Sequence, residues 1–137
     1  MQFNYLPTIR TAILLHGRVS KEAADFPATI TRYELGGNLL TLNFIFYPVY
    51  VHGEAYLAAK DGSAAAAEFQ KILDHPGAVR SEPIGALVHL QLGRAFALAG
   101  DHTKAKNAYQ EFFNLWQSAD SDIPLLKQAK TEYVQLN

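Results

Sequence analysis

The apolar residues of this chain recur at the spacing of amphipathic helices. The clearest stretch is residues 93–109, GRAFALAGDHTKAKNAY, which predicts two short helices joined by a tight turn. Residues 53–69, forty positions earlier, read GEAYLAAKDGSAAAAEF. Both stretches place a small residue, an aromatic residue, a second small residue and a second aromatic residue at the same intervals. A fixed internal period of this kind is typical of helical repeat proteins.

Four pairs of equivalent positions carry the repeat. They are Gly53 and Gly93, Tyr56 and Phe96, Ala65 and Ala105, and Phe69 and Tyr109. We expect the glycines and alanines to let the two helices of a hairpin approach closely. We expect the aromatic rings to fill the space between one hairpin and the next, because each ring buries a large apolar area. A single hairpin cannot bury its second face, so the hairpins should stack.

The pattern predicts an all-α domain over residues 1–137, an α-α superhelix of about seven helices in three stacked hairpins and a C-terminal capping helix. The segments are a degenerate repeat at 3–33, repeats at 46–76 and 83–117, and a capping helix at 123–136. The first copy keeps Leu14 and Ala23 at the aromatic and alanine positions. It has Thr11 and Pro27 in place of the glycine and the second aromatic, and a proline interrupts a helix.

Local signals indicate where the helices begin and end. Gly100 is the expected terminator of one helix, and Asp101 is the expected N-cap of the next. Ser63 and Asp122 are the expected N-caps of a helix at 64–74 and of the capping helix. The capping helix has one apolar stripe, formed by Leu126, Ala129, Tyr133 and Leu136.

One segment, residues 39–51, is apolar enough to be a strand: LLTLNFIFYPVYV. Pro48 disfavours a central strand because it cannot donate to the sheet ladder. We therefore predict a helix from about Phe46, preceded by an irregular connector at 39–44.

Composition excludes several classes of protein. The chain has 137 residues, of which 49% are hydrophobic and 18% charged, so it can bury a core. A formal net charge of -1 provides no general attraction for nucleic acid. No apolar run is long enough to insert into a membrane. We expect a cytoplasmic protein, or an extracytoplasmic one if a parent protein has a membrane span before this region.

No pattern in the sequence predicts catalysis, a metal site or a cofactor. The five histidines lack the spacing that places two metal ligands on one helix face. Asp120 and Asp122 lack the ligand spacing of a calcium loop, so helix capping is the simpler role. Phe112 is expected in the core, whereas Trp116 is equally compatible with the core and with a binding cluster. We expect ATPase and phosphotransfer assays of this chain to be blank.

A partner-binding groove is the functional hypothesis that the repeat supports, because the first helices of stacked hairpins line a concave surface. The residues predicted to line it are Tyr47, Tyr50, Glu54, Leu57, Leu90 and Arg94. Glu54 and Arg94 should then lie on adjacent helices and point to the same side. Such a mixed surface would suit an extended peptide or a partner helix. The alternative is a solvated face with no ligand.

The repeated residues resemble the tetratricopeptide repeat, whose small, aromatic, alanine and aromatic positions match the four pairs above. The family period is about 34 residues, whereas here it is 40, and the longer connector at 74–83 fits the excess. Several longer segments are similar to the C-terminal repeat region of bacterial eukaryotic-like serine/threonine protein kinases of the acidobacterial type. They are YELG (33–36), YPVYVHGEAYLAA (47–59), AAAAEFQKILDHPG (64–77), PIGALVHLQLGRAFALAGD (83–101) and IPLLKQAKTEY (123–133).

This resemblance implies a regulatory or docking module of a larger kinase, with a protein or peptide as its partner. The chain has no glycine-rich phosphate loop and no HRD or DFG motif, so no catalytic role transfers to any of its residues. The alternative is a scaffold or self-association domain that packs against its own kinase domain or a second copy.

Overall fold

The computed structural model describes residues 9, 11–13, 46–76 and 83–136, and these residues form helices and turns with no strand among them. Five helices are described with both ends: α1 (Tyr47–Ala58), α2 (Gly62–Leu73), α3 (Pro83–Leu98), α4 (His102–Leu115) and α5 (Pro124–Val134). Residues 11–13 are also helical. The predicted all-α class is therefore confirmed.

The alternative of a strand at 39–51 is wrong for its second half, because residues 47–51 begin α1. Pro48 lies in the first turn of α1, where a missing N–H breaks no hydrogen bond of the helix. The predicted connector at 39–44 and most of the predicted first repeat, including Pro27, lie outside the described residues.

The helices pack mainly on their neighbours in sequence. α1 packs on α2, α2 on α3, α3 on α4 and α4 on α5, while α1 also contacts α3 directly. One apolar cluster joins α1, α2 and α3 around Val49, Phe69 and Val88. A second cluster joins α3, α4 and α5 around Leu90 and Phe112. Because α3 belongs to both clusters, it connects the two halves of the described core.

The turns after α1 and after α3 are the same structure forty residues apart. The N–H of Asp61 donates to the carbonyl of Tyr56 at 2.9 Å, and the N–H of Asp101 donates to the carbonyl of Phe96 at 2.9 Å. The residue before each aspartate has a left-handed backbone, with φ 65° at Lys60 and φ 82° at Gly100. The 40-residue period of the sequence therefore corresponds to a repeated turn in the structure.

The N-caps of α2 and α4 are also equivalent. Asp61 accepts the N–H of Ala64 at 2.9 Å, and Asp101 accepts the N–H of Lys104 at 3.0 Å. The cap expected at Asp101 is confirmed. The cap expected at Ser63 is wrong, because α2 begins at Gly62, two residues earlier than expected, and the carboxylate of Asp61 accepts the N–H of Ala64.

The expected cap at Asp122 is also wrong. The N-cap of α5 is Ile123, which provides no side-chain hydrogen bond. The carboxylate of Asp122 instead accepts from the ammonium of Lys127 at 3.1 Å. Pro124 at the start of α5 removes one of the N–H groups that a cap would have satisfied.

Two glycines allow an aromatic ring to lie directly against a helix backbone. A Cβ atom added to Gly93 would lie 2.7 Å from the ring of Tyr109, and one added to Gly53 would collide with the ring of Phe69. Ala65 and Ala105 are fully buried. The expected close approach is confirmed. Each ring fills space within its own helix pair, and in addition Phe69 packs in the cluster shared with α3 and Tyr109 in the cluster shared with α5.

A third glycine was not singled out by the repeat. Gly62, the first residue of α2, faces the end of α3, and an added Cβ would lie 2.6 Å from the carbonyl oxygen of Ala95 and 2.7 Å from the amide nitrogen of Ala99. The backbone at the end of α3 therefore limits how closely the pair of α1 and α2 can approach the pair of α3 and α4. Within the described part of the chain, no helix combines the length and apolar character needed to cross a bilayer.

Candidate partner-binding surface

The structure places four of the six predicted surface residues on one side of α1. Tyr47 is 40% exposed, and Tyr50, Glu54 and Leu57 are half-buried. Arg94 is half-buried on α3, the helix that contacts α1. These five residues remain candidates for contact with a partner.

The prediction that Leu90, the sixth residue, lines the surface is wrong. Leu90 is 1% exposed and belongs to the cluster that contains Phe112 and Leu126. Residues of both α4 and α5 complete this cluster around Leu90. Leu90 therefore stabilises the fold and cannot line an open groove.

Gln91 joins the two helices of the candidate surface. Its amide nitrogen Nε2 donates to the hydroxyl of Tyr50 at 3.0 Å and to Oε1 of Glu54 at 3.1 Å. Its carbonyl oxygen Oε1 accepts from Nη1 of Arg94 at 3.3 Å. Glu54 and Arg94 thus both contact one side chain, which agrees with the expectation that they point to the same side.

Arg94 is also held by the last helix. Its Nε and Nη2 donate to the two carboxylate oxygens of Glu132 in α5, at 2.9 and 3.0 Å. Glu132 further accepts from the hydroxyl of Tyr109 at 2.8 Å and from Nε2 of Gln128 at 2.9 Å. Planar bidentate pairing is the strongest geometry for an arginine and a carboxylate. The cation expected to meet a partner is thus already engaged within the chain.

The acid–base properties of the surface follow from this packing. Burial raises the pKa of Tyr50 to about 12, although the hydrogen bond from Gln91 opposes the rise. Burial and the neighbouring Glu132 raise the pKa of Tyr109. Burial alone would raise the pKa of Glu132, but the hydrogen bonds from Arg94 and Tyr109 outweigh it and lower that pKa. Both tyrosines are therefore neutral donors or acceptors at neutral pH.

The contact with Glu132 also raises the pKa of Arg94. Burial alone would lower it, whereas the hydrogen bonds and the charge of Glu132 raise it more strongly. The side chains of Arg94 and Glu132 are 23% and 25% exposed, so their attraction is only partly screened by water. The pair is a stable ionic contact between α3 and α5.

Sequence reasoning missed Gln91 and Glu132 as members of this surface. Gln91 is uncharged and lies beside the leucine that precedes the repeat glycine, so no periodic signal marks it. Glu132 is far from Arg94 in sequence, and only the packing of α5 brings the two together. Glu132 is the one acidic residue of the segment 123–136, and that is the signal by which a partner for an arginine could have been sought there.

The aromatic residues near the end of α4 have a packing role. Phe112 is fully buried, as expected, and its ring lies 5.1 Å from that of Trp116. Trp116 is half-buried and packs against the same cluster as α5. The open alternative for Trp116 is thus resolved in favour of the core edge rather than a separate binding cluster.

The candidate surface contains both polar and apolar side chains. It presents aromatic rings, an aliphatic side chain, an amide and a carboxylate, which together can contact a peptide through apolar area and hydrogen bonds. Among the described residues, no group of three or more histidine, aspartate and glutamate side chains is placed to hold a metal ion. His52 is fully buried, and Nδ1 of His75 lies 2.8 Å from the carbonyl oxygen of Lys71.

Comparison with known proteins gave no match to a protein-family model, to a curated protein or to a solved structure.

Proposed function

We propose that this chain is a non-catalytic protein-interaction module built from tetratricopeptide-like hairpins in a right-handed superhelix. A peptide or a partner helix would bind along α1 and α3. The observation that carries the proposal is the repeated unit, in which the same turn, the same aspartate cap and the same ring-on-glycine contact occur forty residues apart. Such units place their first helices side by side and leave one face of each available.

The chemistry of the exposed face supports a protein partner. Tyr47 offers an aromatic ring to solvent, and Tyr50, Glu54 and Leu57 continue the same face of α1. Tyrosine is enriched where proteins bind one another because it combines a large rigid contact area with a polar group. A surface of aromatic and aliphatic side chains with one carboxylate, whose arginine is already paired within the chain, suits a peptide better than nucleic acid.

The similarity to the repeat region of bacterial serine/threonine kinases extends this proposal. The chain would be the regulatory or docking part of such an enzyme and would recruit a substrate, a regulator or the kinase domain itself. The direct check is whether a kinase domain is encoded before Met1 in the parent gene.

A peptide-binding experiment tests the proposal. Peptides would be selected from a random displayed library on the immobilised chain, and their affinities measured by fluorescence anisotropy. We expect Tyr47→Ser to weaken the selected peptides about tenfold, the size of loss typical of a buried aromatic anchor. Leu115→Ser is the matched control, because Leu115 is 58% exposed but lies on α4, and it should change nothing. Equal effects of the two variants, or no selected peptide, would contradict the proposal.

Self-association is the second candidate, favoured by the exposure of Tyr47, Leu115 and Val134. The chain would then act as a scaffold that packs against a second copy or against a kinase domain. Light scattering over a range of concentrations separates the two functions. A dimer that Tyr47→Ser converts to a monomer would support the scaffold, whereas a monomer at all concentrations would exclude self-association.

A further inference from the structure

The side chain of Gln91 is held in one orientation by the groups around it. Gln91 is 9% exposed, and its amide makes three hydrogen bonds to Tyr50, Glu54 and Arg94. The N–H groups of the amide must face the carboxylate, and its oxygen must face the guanidinium. A flipped amide would place its oxygen against the Glu54 carboxylate and its N–H groups against Arg94, so the hydrogen bonds to both charged partners would be lost.

The same hydrogen-bonded chain continues to the last helix. Arg94 contacts Gln91 with Nη1 and contacts Glu132 with Nε and Nη2. Each of these side chains is half-buried or buried, where hydrogen bonds are stronger than in water and unpaired groups cost more. One continuous set of side-chain contacts thus runs from α1 through α3 to α5.

We propose that Gln91 and Arg94 couple the candidate binding face of α1 to the docking of α5. A change at Glu54 or Tyr50 alters the hydrogen bonds that orient the Gln91 amide. The hydrogen bond from Arg94 to that amide then changes, and with it the geometry of the ion pair between Arg94 and Glu132. The regulatory consequence rests on the proposed function, because a partner that contacts Glu54 would then loosen or tighten the C-terminal helix. The coupling itself requires no partner.

Hydrogen exchange on the whole chain tests the coupling without a ligand. Glu54→Gln keeps the shape of the side chain and removes its charge. We expect the amides of residues 128–134 in α5 to exchange about threefold faster or more in this variant, relative to those of α4, because coupling through such networks is of that order. Tyr50→Phe, which removes only the acceptor hydroxyl, should act in the same direction and provides a second variant if Glu54→Gln fails to fold.

Two controls identify the route. Gln70→Ala breaks an exposed hydrogen bond to Asp74 on α2 and should leave exchange in α5 unchanged. In a Gln91→Leu background, Glu54→Gln should have no further effect on α5, because the relay is already removed. The coupling is disproved if α5 exchange is unchanged in both surface variants, or if the effect persists undiminished without Gln91. Absence of peptide binding would leave this result untouched, so the two proposals fail separately.

Discussion

Arg94→Met is expected to lower the free energy of unfolding by about 1–3 kcal/mol at neutral pH. The range lies between the cost of breaking a buried ion pair and that of an exposed one, because the two side chains are about a quarter exposed. Methionine keeps the apolar length of arginine but, among the described residues, leaves the Glu132 carboxylate with the donors Tyr109 and Gln128. Urea unfolding of both proteins measures the difference.

The pH dependence of this variant gives a second readout of the same contact. The folded pKa of Glu132 lies below its ordinary value of 4.5. Stability from this group is therefore fully present above pH 4.5 and is lost as the pH falls through the folded pKa. We expect the free energy of unfolding to fall less on acidification in Arg94→Met than in the wild-type chain. Unfolding curves recorded between neutral pH and the acid limit of folding measure it.

Lys104→Met is the matched control for Arg94→Met. Lys104 pairs with Asp101 at 3.0 Å, but its side chain is 63% exposed, so the pair is screened by water. The control should change stability by less than about 1 kcal/mol. Equal losses in the two variants would show that the Arg94–Glu132 pair has no special role in holding α5.

Gly62→Ala is expected to destabilise the chain by about 2–3 kcal/mol, near the upper end of the cost of overpacking. The added methyl group would lie 2.6 Å from the backbone oxygen of Ala95 and 2.7 Å from the backbone nitrogen of Ala99. Backbone atoms cannot rotate away as a side chain can, so the two helix pairs must separate. Alanine gains little here from its helix propensity, because position 62 is the first of the helix.

Ser63→Thr tests whether this loss comes from the contact. It adds one methyl group at the next position, which is exposed, and should change stability by less than about 0.5 kcal/mol. Both variants would be compared by urea unfolding with the slope held common. A Gly62→Ala protein as stable as the wild-type chain would mean that the spacing between α2 and α3 is not fixed by this contact.

The features that sequence predicted well are those set by residues close together in the chain. The end of α3 at Gly100 and the cap at Asp101 depend on local hydrogen bonds that any helix of this sequence would make. The close packing at Gly53 and Gly93 followed from their recurrence with an aromatic residue at a fixed interval. Repetition supplied long-range information that a single copy would not contain.

The features that sequence missed depend on contacts between distant residues. Leu90 is buried in a cluster with residues of α4 and α5, and Arg94 is paired because α5 carries Glu132. The sequence predicts a cap at Ser63, whereas Asp61 is the cap, because serine and aspartate are both favoured at this position and only the observed start of α2 decides between them. Five of the six residues predicted for the candidate surface keep some exposure on α1 and α3, whereas Leu90 is buried and the arginine is already paired within the chain.

One difference between the two repeat copies has a physical explanation. Phe69 and Tyr109 occupy equivalent positions and lie against equivalent glycines. The hydroxyl of Tyr109 reaches Glu132 of α5 at 2.8 Å, whereas Phe69 has no polar group there and packs edge-on to Tyr50 at 5.6 Å. In the copy at 83–117 the tyrosine hydroxyl thus adds a hydrogen bond to a carboxylate of α5, which the phenylalanine of the copy at 46–76 cannot make.

The most direct test of the account is to map a selected peptide onto the chain by amide chemical-shift changes in NMR. We expect the largest chemical-shift changes in α1 between residues 47 and 57 and in α3 around Gln91 and Arg94. Smaller chemical-shift changes should occur in α5. Changes confined to the exposed side of α4, or distributed evenly over the chain, would contradict the proposed binding surface.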